Sequence, residues 1–231
     1  MKIAGLQKLT LIDYPGHLAC TVFLPGCNFR CPWCYSRELV LPEEIEKQPI
    51  IPEKEFFDFL KERIGLLQGV VVCGGEPTIF QDIPEFMEKI KKMGYLTKLD
   101  TNGSNPEIIE ELINKNLVDY IAMDVKLPKE KYSMIFKGKI SVDDIQKSIN
   151  LLKEGRVDYE FRTTVVPTIH EKEDILAIVQ WIKPARRYFL QNFRAEKTID
   201  PSFEKIKPYS RDFLLELQKL IAPFFETCQV R

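Results

Sequence analysis

Short β-rich apolar runs alternate with longer segments of helical periodicity along most of the chain, and the alternation occurs six times. A strand followed each time by a helix predicts a parallel sheet covered by helices, either open and doubly wound or curved into a barrel. Six units are fewer than the eight that close a standard barrel. We therefore expect an α/β fold with a parallel sheet, a partial (βα)6 TIM-like barrel. The predicted strands are 18–24, 69–73, 95–100, 118–125, 157–166 and 187–190, and the helical stripes are 56–64, 83–90, 108–112, 145–152, 175–182 and 213–224.

The six units are expected to form a single domain, residues 1–231. A chain of 231 residues with 45% hydrophobic content is long enough to bury about 70–75% of the surface that its unfolded form exposes. No linker, repeat or low-complexity stretch divides it, and the proline-rich segment 41–52 predicts a surface loop. Two helix starts carry capping residues, Asn105 before Pro106 and Ser141 before an acidic turn.

Residues that could bind a ligand or take part in catalysis follow all six predicted strands. Because the carboxyl ends of parallel strands lie at one edge of the sheet, where α/β proteins place their active sites, we expect these residues to share a site. In chain order they are the cysteine loop Cys27 to Cys34, Gly74 to Pro77, Asp100 to Gly103, Asp124 with Lys126, Arg162 to Pro167, and Gln191 to Phe193.

Three cysteines, Cys27, Cys31 and Cys34, fall within eight residues. Structural zinc normally takes four protein ligands, whereas four irons held by three cysteines leave one iron open to a substrate or cofactor. The spacing therefore favours a reactive iron–sulfur cluster. In the alternative zinc interpretation His17 would supply a fourth ligand; otherwise His17 and His170 are expected to be ordinary loop or surface histidines.

The remaining cysteines are Cys20, Cys73 and Cys228, and each is isolated in the sequence. Six cysteines placed so unevenly do not resemble a secreted disulfide framework, so these three are expected to be small buried hydrophobes. Cys73, directly before Gly74, is the one expected to lie nearest the chemistry. The cysteine usage favours a cytoplasmic protein.

Several motifs allow both a functional and a structural interpretation. Gly74 and Gly75 leave backbone groups bare for a ligand and Glu76 adds a carboxylate that could stabilise an ammonium group, or the motif is a tight turn. Asp124 and Lys126 can bracket a zwitterion or ribose hydroxyls, or form a salt bridge. Arg162 lies in an apolar run, where a charge requires a carboxylate partner inside the barrel, from the protein or from a ligand.

The composition argues against two classes of partner. The chain has 33 Lys and Arg against 34 Asp and Glu, which provides no basic footprint for nucleic acid. The amino terminus lacks the layout of a signal peptide, and no apolar run reaches the ~20 residues needed to cross a bilayer. We expect a protein with neither nucleic-acid nor membrane partners.

The spacing Cys27-x3-Cys31-x2-Cys34 with Trp33, followed by Gly74-Gly75-Glu76-Pro77, resembles the radical S-adenosylmethionine superfamily. The resemblance covers the whole chain, since the core of that superfamily is a six-unit partial barrel. The segment 5–16, GLQKLTLIDYPG, and the run 23–31, FLPGCNFRC, further resemble activating proteins of anaerobic ribonucleoside-triphosphate reductase.

This resemblance implies a cofactor set and residue roles. A [4Fe-4S] cluster would be bound by the three loop cysteines, and S-adenosyl-L-methionine would chelate the fourth iron through its amino and carboxylate groups. No catalytic residue is implied beyond the cluster site. The expected S-adenosylmethionine contacts are Gly74, Gly75 and Glu76 at the amino group; Asp100, Thr101 and Asn102 in the same cavity; Asp124 and Lys126 at ribose and carboxylate; and Trp33 and Asn192 around adenine.

The implied reaction is reductive cleavage of S-adenosylmethionine to a 5′-deoxyadenosyl radical, which abstracts hydrogen from a glycine of a partner enzyme. The implied partners are a glycyl-radical enzyme, foremost anaerobic ribonucleotide reductase, and an electron donor such as flavodoxin or ferredoxin. No glycyl-radical-like motif occurs in this chain, so the glycine lies in another chain.

Three alternatives to this partner remain open. The chain has Tyr35-Ser36 where reductase activators often have His-Asn, and Phe193 where activators of the pyruvate formate-lyase type tend to have histidine. No cysteine lies between Cys34 and Cys73, which favours the short type of activator over longer ones with extra clusters. The alternatives are a pyruvate formate-lyase-type activase, a radical enzyme acting on a small heterocycle, and a non-enzymatic zinc or electron-transfer module.

Overall fold

The computed structural model describes residues 1–137 and 140–231. Within these residues the centre is one sheet of eight strands, whose spatial order follows the chain. The first strand is antiparallel to the second, and every later neighbouring pair is parallel. The strands are β1 Gly5–Thr10, β2 Ala19–Leu24, β3 Gly69–Gly74, β4 Leu96–Thr101, β5 Tyr120–Asp124, β6 Asp158–Val165, β7 Ala185–Asn192 and β8 Phe225–Val230.

Six helices cover the sheet where the apolar stripes predict them, and two short ones precede them. The helices are α1 Arg37–Val40, α2 Pro42–Ile45, α3 Glu53–Glu62, α4 Ile83–Lys92, α5 Pro106–Asn114, α6 Val142–Lys153, α7 Lys172–Ile182 and α8 Arg211–Ile221. The segment 41–52, expected to be a loop, contains α2, so that prediction is wrong for residues 42–45. None of the helices in the described part of the chain is both long and apolar enough to span a membrane.

The predicted α/β partial barrel is confirmed, with β2 to β7 as its six predicted strands. The sequence pattern missed the two edge strands, β1 and β8. Both are largely exposed or half-buried and mix apolar with polar residues without a regular period, because an edge strand has a neighbour on one side only. Their pairing with β2 and β7 extends the sheet without closing it.

The sheet has two chemically different faces. Successive side chains of a strand point to opposite faces, and one set, with Val70, Val72, Ile121 and Met123, packs against the helices in the main core. The other set lines the concave inner face. Its apolar part is a small cluster made by Tyr14, Ala19, Val71, Tyr120 and Ala122. Much of the rest of the inner face is charged, which sets up the site.

One of the two predicted helix caps is confirmed. Ser141 begins α6, where its hydroxyl accepts a hydrogen bond from the Asp143 N–H at 3.1 Å, within a capping box. Asn105 begins α5, but its side-chain amide donates to the Thr78 carbonyl at 2.7 Å and forms no cap. The Asn105 side chain therefore ties the start of α5 to the turn after β3.

Candidate active site

The cysteine loop follows β2 and is fixed by backbone hydrogen bonds to distant segments. Residues 135–137 form a short antiparallel bridge with it, and residues 199–200 bind its far end, so both sides of the loop are held. The backbone bonds are Arg30 N to Ile135 O at 2.8 Å, Lys137 N to Asn28 O at 3.1 Å, Ile199 N to Cys34 O at 3.0 Å and Asp200 N to Pro32 O at 2.9 Å.

The three thiols lie in a largely water-free environment. Cys31 is buried, and Cys27 and Cys34 are half-buried. Burial raises the pKa of Cys27 to about 11 and that of Cys31 to about 12. Because cysteine binds metal as the thiolate, loading the loop must release these protons.

The donor set of the loop is three cysteine thiols, the ligand type that holds iron–sulfur clusters. In the part of the chain that the structure describes, no three His, Cys, Asp or Glu side chains converge on a point that could hold a single ion. A single zinc needs converging ligands, whereas a cluster is held at separate corners. The Phe29 N–H also donates to Cys27 Sγ at 3.4 Å, a contact that suits a thiolate.

The Lys126 ammonium provides the positive charge of the site. Burial lowers the pKa of Lys126, but the Asp124 carboxylate outweighs it and raises this pKa above its usual range. Its Nζ donates to Asp124 Oδ2 at 3.0 Å. The salt bridge expected as one interpretation of this pair therefore exists, and two ammonium protons remain for another acceptor.

Gly74 and Gly75 dock the turn after β3 onto the strand that leads to the cysteine loop. A Cβ on Gly74 would lie 2.3 Å from Leu24 O, and one on Gly75 would lie 1.9 Å from Gly26 O, both backbone atoms. The Gly75 N–H donates to Leu24 O at 2.8 Å and the Glu76 N–H to Gly26 O at 2.7 Å. The glycines are thus required for close backbone packing directly before Cys27.

The Glu76 carboxylate is fully buried and holds this turn against the residues after β4. Oε1 accepts from the Thr78 N–H at 3.0 Å and from the hydroxyls of Thr78 and Thr101 at 2.6 and 2.7 Å, while Oε2 accepts from the Asn102 N–H at 2.6 Å. Burial raises the pKa of Glu76, and these hydrogen bonds oppose the shift. Both oxygens are therefore engaged within the protein.

Asn102 connects the same region to the cysteine loop itself. Its side-chain amide donates to Asn28 Oδ1 at 2.9 Å and lies 3.9 Å from Cys27 Sγ, and Asn28 in turn donates to the Ser104 hydroxyl at 2.7 Å. Thr101 and Asn102, predicted as site residues, are thus joined to Glu76 and Cys27. Asn28 and Ser104 were not predicted, because single amides and hydroxyls in loops carry no distinctive pattern.

Arg162 finds its partners within the protein. Its Nε donates to Asp124 Oδ1 at 2.8 Å and its Nη1 to Asp100 Oδ2 at 2.9 Å. Asp100 also pairs with Lys98. The guanidinium and Lys126 lower the pKa of Asp124 to about 2 against the effect of burial, and Arg162 with Lys98 lowers that of Asp100.

A second charged group lies on the inner face nearer the amino ends of the strands. The fully buried Glu160 accepts from the Arg231 guanidinium at 2.8 and 3.1 Å and from the Tyr120 hydroxyl at 2.7 Å. Lys98, Glu160 and Arg231 were missed as candidate residues. A sequence signal was available for Lys98 and Glu160. Each lies two residues from another charge in a β-rich run, Lys98 from Asp100 and Glu160 from Arg162, and this spacing places both charges of a pair on one face of the strand.

The remaining predicted residues lie at the periphery of this edge. Trp33 is buried in edge contact with His170 and packs against Phe203. Asn192 donates through Nδ2 to Tyr209 O at 2.9 Å, while its buried Oδ1 has no hydrogen-bond partner within the described residues. Cys73 lies on the inner face near Asp100, and Cys20 and Cys228 are buried as expected.

The expectation of ordinary loop or surface histidines holds for His17, a half-buried loop residue, and is wrong for His170. His170 is fully buried: its Nδ1 accepts from the Val166 N–H at 3.1 Å, so Nε2 donates to Lys126 O at 2.8 Å. It therefore positions the backbone beside Lys126, and burial lowers its pKa. His17 packs against Tyr14 at the amino ends of the strands, where both line a cavity of about 460 Å³. The fold does not bring His17 to the cysteine loop as a fourth zinc ligand.

The chain is similar to a superfamily profile and to two proteins that carry the same type of name. The Radical SAM superfamily profile matches residues 21–182. The chain is 34% identical over 236 residues to a Methanocaldococcus jannaschii protein named as a glycyl-radical enzyme activating enzyme, covering 99% of this chain and 95% of that protein. A second protein of that organism with the same type of name is 25% identical, covering 90% and 78%.

Other relatives carry different names. A Thermococcus kodakarensis protein named 7-carboxy-7-deazaguanine synthase is 27% identical over 56% of each chain. Among solved structures, Streptococcus suis SuiB bound to S-adenosylmethionine superposes with a TM-score of 0.67 at 15% identity, over 90% of this chain and 51% of that one. Escherichia coli QueE superposes with a TM-score of 0.60 at 16% identity, over 100% and 94%. At such identities the structural likeness concerns the fold alone.

Proposed function

The chain belongs to the radical S-adenosylmethionine superfamily, and from this premise we propose that it activates a glycyl-radical enzyme, foremost anaerobic ribonucleoside-triphosphate reductase. The observation that carries the proposal is the 34% identity to a protein named as such an activating enzyme across 99% of the chain. Enzymes of the superfamily use a [4Fe-4S] cluster and S-adenosylmethionine. The substrate would be one glycine α-carbon in the partner protein.

Cys27, Cys31 and Cys34 would hold the cluster. The nearby Lys126 ammonium suits a group of net negative charge. When bound and reduced, the cluster supplies one electron to S-adenosylmethionine, whose cleavage yields methionine and a 5′-deoxyadenosyl radical that abstracts hydrogen from the glycine. Every further task of the chain is binding, orienting and excluding water.

The charged residues at the carboxyl ends of β4 to β6 would bind S-adenosylmethionine. Lys126 could donate its remaining ammonium protons to the S-adenosylmethionine carboxylate. Each Asp124 oxygen accepts one hydrogen bond within the protein and could accept another from a ribose hydroxyl. Arg162 fixes Asp124 and Asp100 in position at 2.8 and 2.9 Å. The site would thus be preorganised before the cofactor arrives.

Backbone groups of Gly74 and Gly75 would receive the amino group, and Glu76 would act by holding that turn, with Thr101 and Asn102 as its partners. The unpartnered Oδ1 of Asn192 would accept from the adenine amino group. Trp33 would frame adenine from its buried position against His170 and Phe203. We place the reaction in the cytoplasm, with a one-electron donor such as flavodoxin or ferredoxin as second partner.

The test is anaerobic mixing of reconstituted, reduced protein with S-adenosylmethionine and the anaerobic ribonucleotide reductase of the same organism. The expected result is a glycyl doublet in the EPR spectrum of the reductase, together with one equivalent of 5′-deoxyadenosine for each radical formed. A pyruvate formate-lyase would be tested in the same way, since Tyr35-Ser36 and Phe193 differ from both activator patterns.

A small heterocyclic substrate is the second candidate, and it is favoured by one observation. The likeness to 7-carboxy-7-deazaguanine synthase covers 56% of this chain at 27% identity. That function predicts turnover of S-adenosylmethionine with the small substrate alone. Formation of 5′-deoxyadenosine with a heterocycle, and without a radical on any protein, would favour it over the activase.

A further inference from the structure

The segment 5–16, which carries part of the family resemblance, contains two adjacent exposed apolar residues that the proposed chemistry does not use. Leu11 and Ile12 follow β1 and are 69% and 83% exposed. The Thr10 hydroxyl accepts from the Ile12 N–H at 3.3 Å and from the Asp13 N–H at 3.2 Å, so the turn that presents them is held in place. A single exposed apolar side chain is ordinary, but two adjacent ones on a fixed turn are not.

Further exposed apolar residues adjoin this turn. Leu18 is 43% exposed, and Ile64 and Leu66 are 58% and 63% exposed in the segment that follows α3. The two segments are joined by hydrogen bonds from the Gln68 N–H to Leu18 O at 2.8 Å and from the Leu18 N–H to Gln68 Oε1 at 2.9 Å. We refer to Leu11, Ile12, Leu18, Ile64 and Leu66 as the apolar rim. Such a group of exposed residues marks an interaction surface.

The turn that carries Leu11, Ile12 and Leu18 also contributes to the inner-face cavity. Tyr14 and His17, which lie in the chain between Ile12 and Leu18, line this cavity of about 460 Å³. Its other charged lining residues are two acids, Asp119 and Asp158, and two bases, Arg187 and Arg231. A balanced lining suits an uncharged polar segment, such as a peptide main chain, better than a free anion or cation.

Two cations lie beside the apolar rim and favour a partner surface that carries negative charge there. Lys8 and Arg63 lie over the Phe59 ring, at 5.8 and 5.4 Å from its centre. Neither forms a salt bridge with a carboxylate in residues 1–137 and 140–231. A partner surface with an apolar centre and carboxylates on this side would complement both features.

We propose that the apolar rim docks the folded body of the glycyl-radical partner, with Lys8 and Arg63 facing carboxylates of that partner. This rests on the proposed function and adds to it the surface on which the partner is recognised. The docked body would present an uncharged glycine segment at the mouth of the cavity, from which the segment must extend along the inner face to the carboxyl ends of the strands, where the cofactor would bind. Recognition would therefore occur at the amino ends of the strands, opposite the cysteine loop.

The test compares a rim variant with wild type on two substrates. Ile12→Asp combined with Leu66→Asp changes only exposed side chains, and Leu220→Asp, at a site on α8 that is 46% exposed, is the matched control. The substrates are the anaerobic ribonucleotide reductase of the same organism and a synthetic peptide of its glycine segment. Both are assayed anaerobically for radical or 5′-deoxyadenosine formation.

We expect the double variant to raise the KM for the whole reductase about tenfold or more, because central apolar contacts dominate interface energetics. The KM for the peptide, which lacks the folded body that the rim is proposed to bind, and the partner-free formation of 5′-deoxyadenosine should stay unchanged. Leu220→Asp should behave as wild type. Lys8→Glu should raise the KM for the reductase most at low ionic strength.

Three outcomes would overturn the proposal. A rim variant with wild-type KM for the reductase rejects docking at this surface and leaves the activase function standing. A wild-type chain that places a radical on no protein rejects the function, and the docking with it. If the wild type is a dimer, and the double variant is a monomer with unchanged KM for the reductase, the rim binds a second copy of this chain instead.

Discussion

The two ends of the strands are built on opposite principles. At the carboxyl ends, the cysteine loop and the turn after β3 are held by buried polar groups, and the fully buried Glu76 alone accepts four hydrogen bonds. At the amino ends, apolar side chains such as Ile12 stand in solvent beside a cavity. The carboxyl ends of the strands are thus held in place by hydrogen bonds within the protein, whereas the amino ends expose apolar surface to solvent.

Under the proposed function, this difference separates chemistry from recognition within one sheet. Buried polar networks tolerate little change, because each lost partner leaves a desolvated group. Exposed apolar residues contribute little to folding and can be selected for a partner. We therefore expect substitutions at the carboxyl ends to affect cofactor loading and stability, and substitutions at the amino ends to affect neither.

The largest effect is expected from Cys31→Ala. Loss of one of three thiolate ligands should remove the bound iron and abolish 5′-deoxyadenosine formation. Iron content per chain and product formation after anaerobic reconstitution measure this, and Cys228→Ala, at a buried cysteine in β8, serves as the control. Full cofactor cleavage by Cys31→Ala would refute the ligand assignment and, with it, the carboxyl end as the reactive one.

Gly75→Ala should have the next largest effect. The added Cβ would meet Gly26 O at 1.9 Å, so the backbone before Cys27 must move. We expect a loss of about 3 kcal/mol in the free energy of unfolding together with reduced iron loading. The control is Gly94→Ala, which meets nothing within 4 Å and should cost about 1 kcal/mol through its left-handed backbone. Equal losses in urea unfolding would mean that the two backbones are not tightly packed.

Arg162→Met should destabilise the protein by about 3 kcal/mol near pH 7, because it removes the guanidinium that pairs with both Asp100 and Asp124 and leaves each carboxylate with one lysine as its partner. In the wild type the pKa of Asp124 is lowered from 3.8 to about 2, so the stabilisation is present above 3.8 and is lost as the pH falls towards 2. In the variant the carboxyls can protonate at higher pH. The difference in urea unfolding should thus be smaller at about pH 5 than at about pH 7; a constant difference would argue against the ion pairs.

The smallest effect is expected at the rim. Ile12→Asp should change the free energy of unfolding by no more than about 0.5 kcal/mol, because the side chain is 83% exposed. Iron loading and partner-free formation of 5′-deoxyadenosine should match the wild type. A loss comparable to that of Gly75→Ala would show that the rim is part of the folding core, and the contrast between the two ends would disappear.

Much of the fold follows from local pattern. The six central strands and their helices are where hydrophobic periodicity predicts them, because buried strands and amphipathic helices carry strong short-range signals. The edge strands β1 and β8 were missed because they are half-exposed and their identity as strands depends on the neighbour that each one finds. The same holds for Asn105, whose side chain bonds to a turn 27 residues away instead of capping α5.

The sequence by itself determined the cysteine loop, the glycine turn and their positions after the first two predicted strands. Residue spacing and the succession of strands along the chain are local properties, and parallel strands place their carboxyl ends at one edge. Only the tertiary structure decided which partners the charges take: Arg162 with two carboxylates of the protein, Glu76 with the turn that it holds, His170 in the core and His17 far from the thiols. The physical reason is that an ion pair or buried hydrogen bond joins residues tens of positions apart. Its energy depends on a distance and a burial that no single segment encodes.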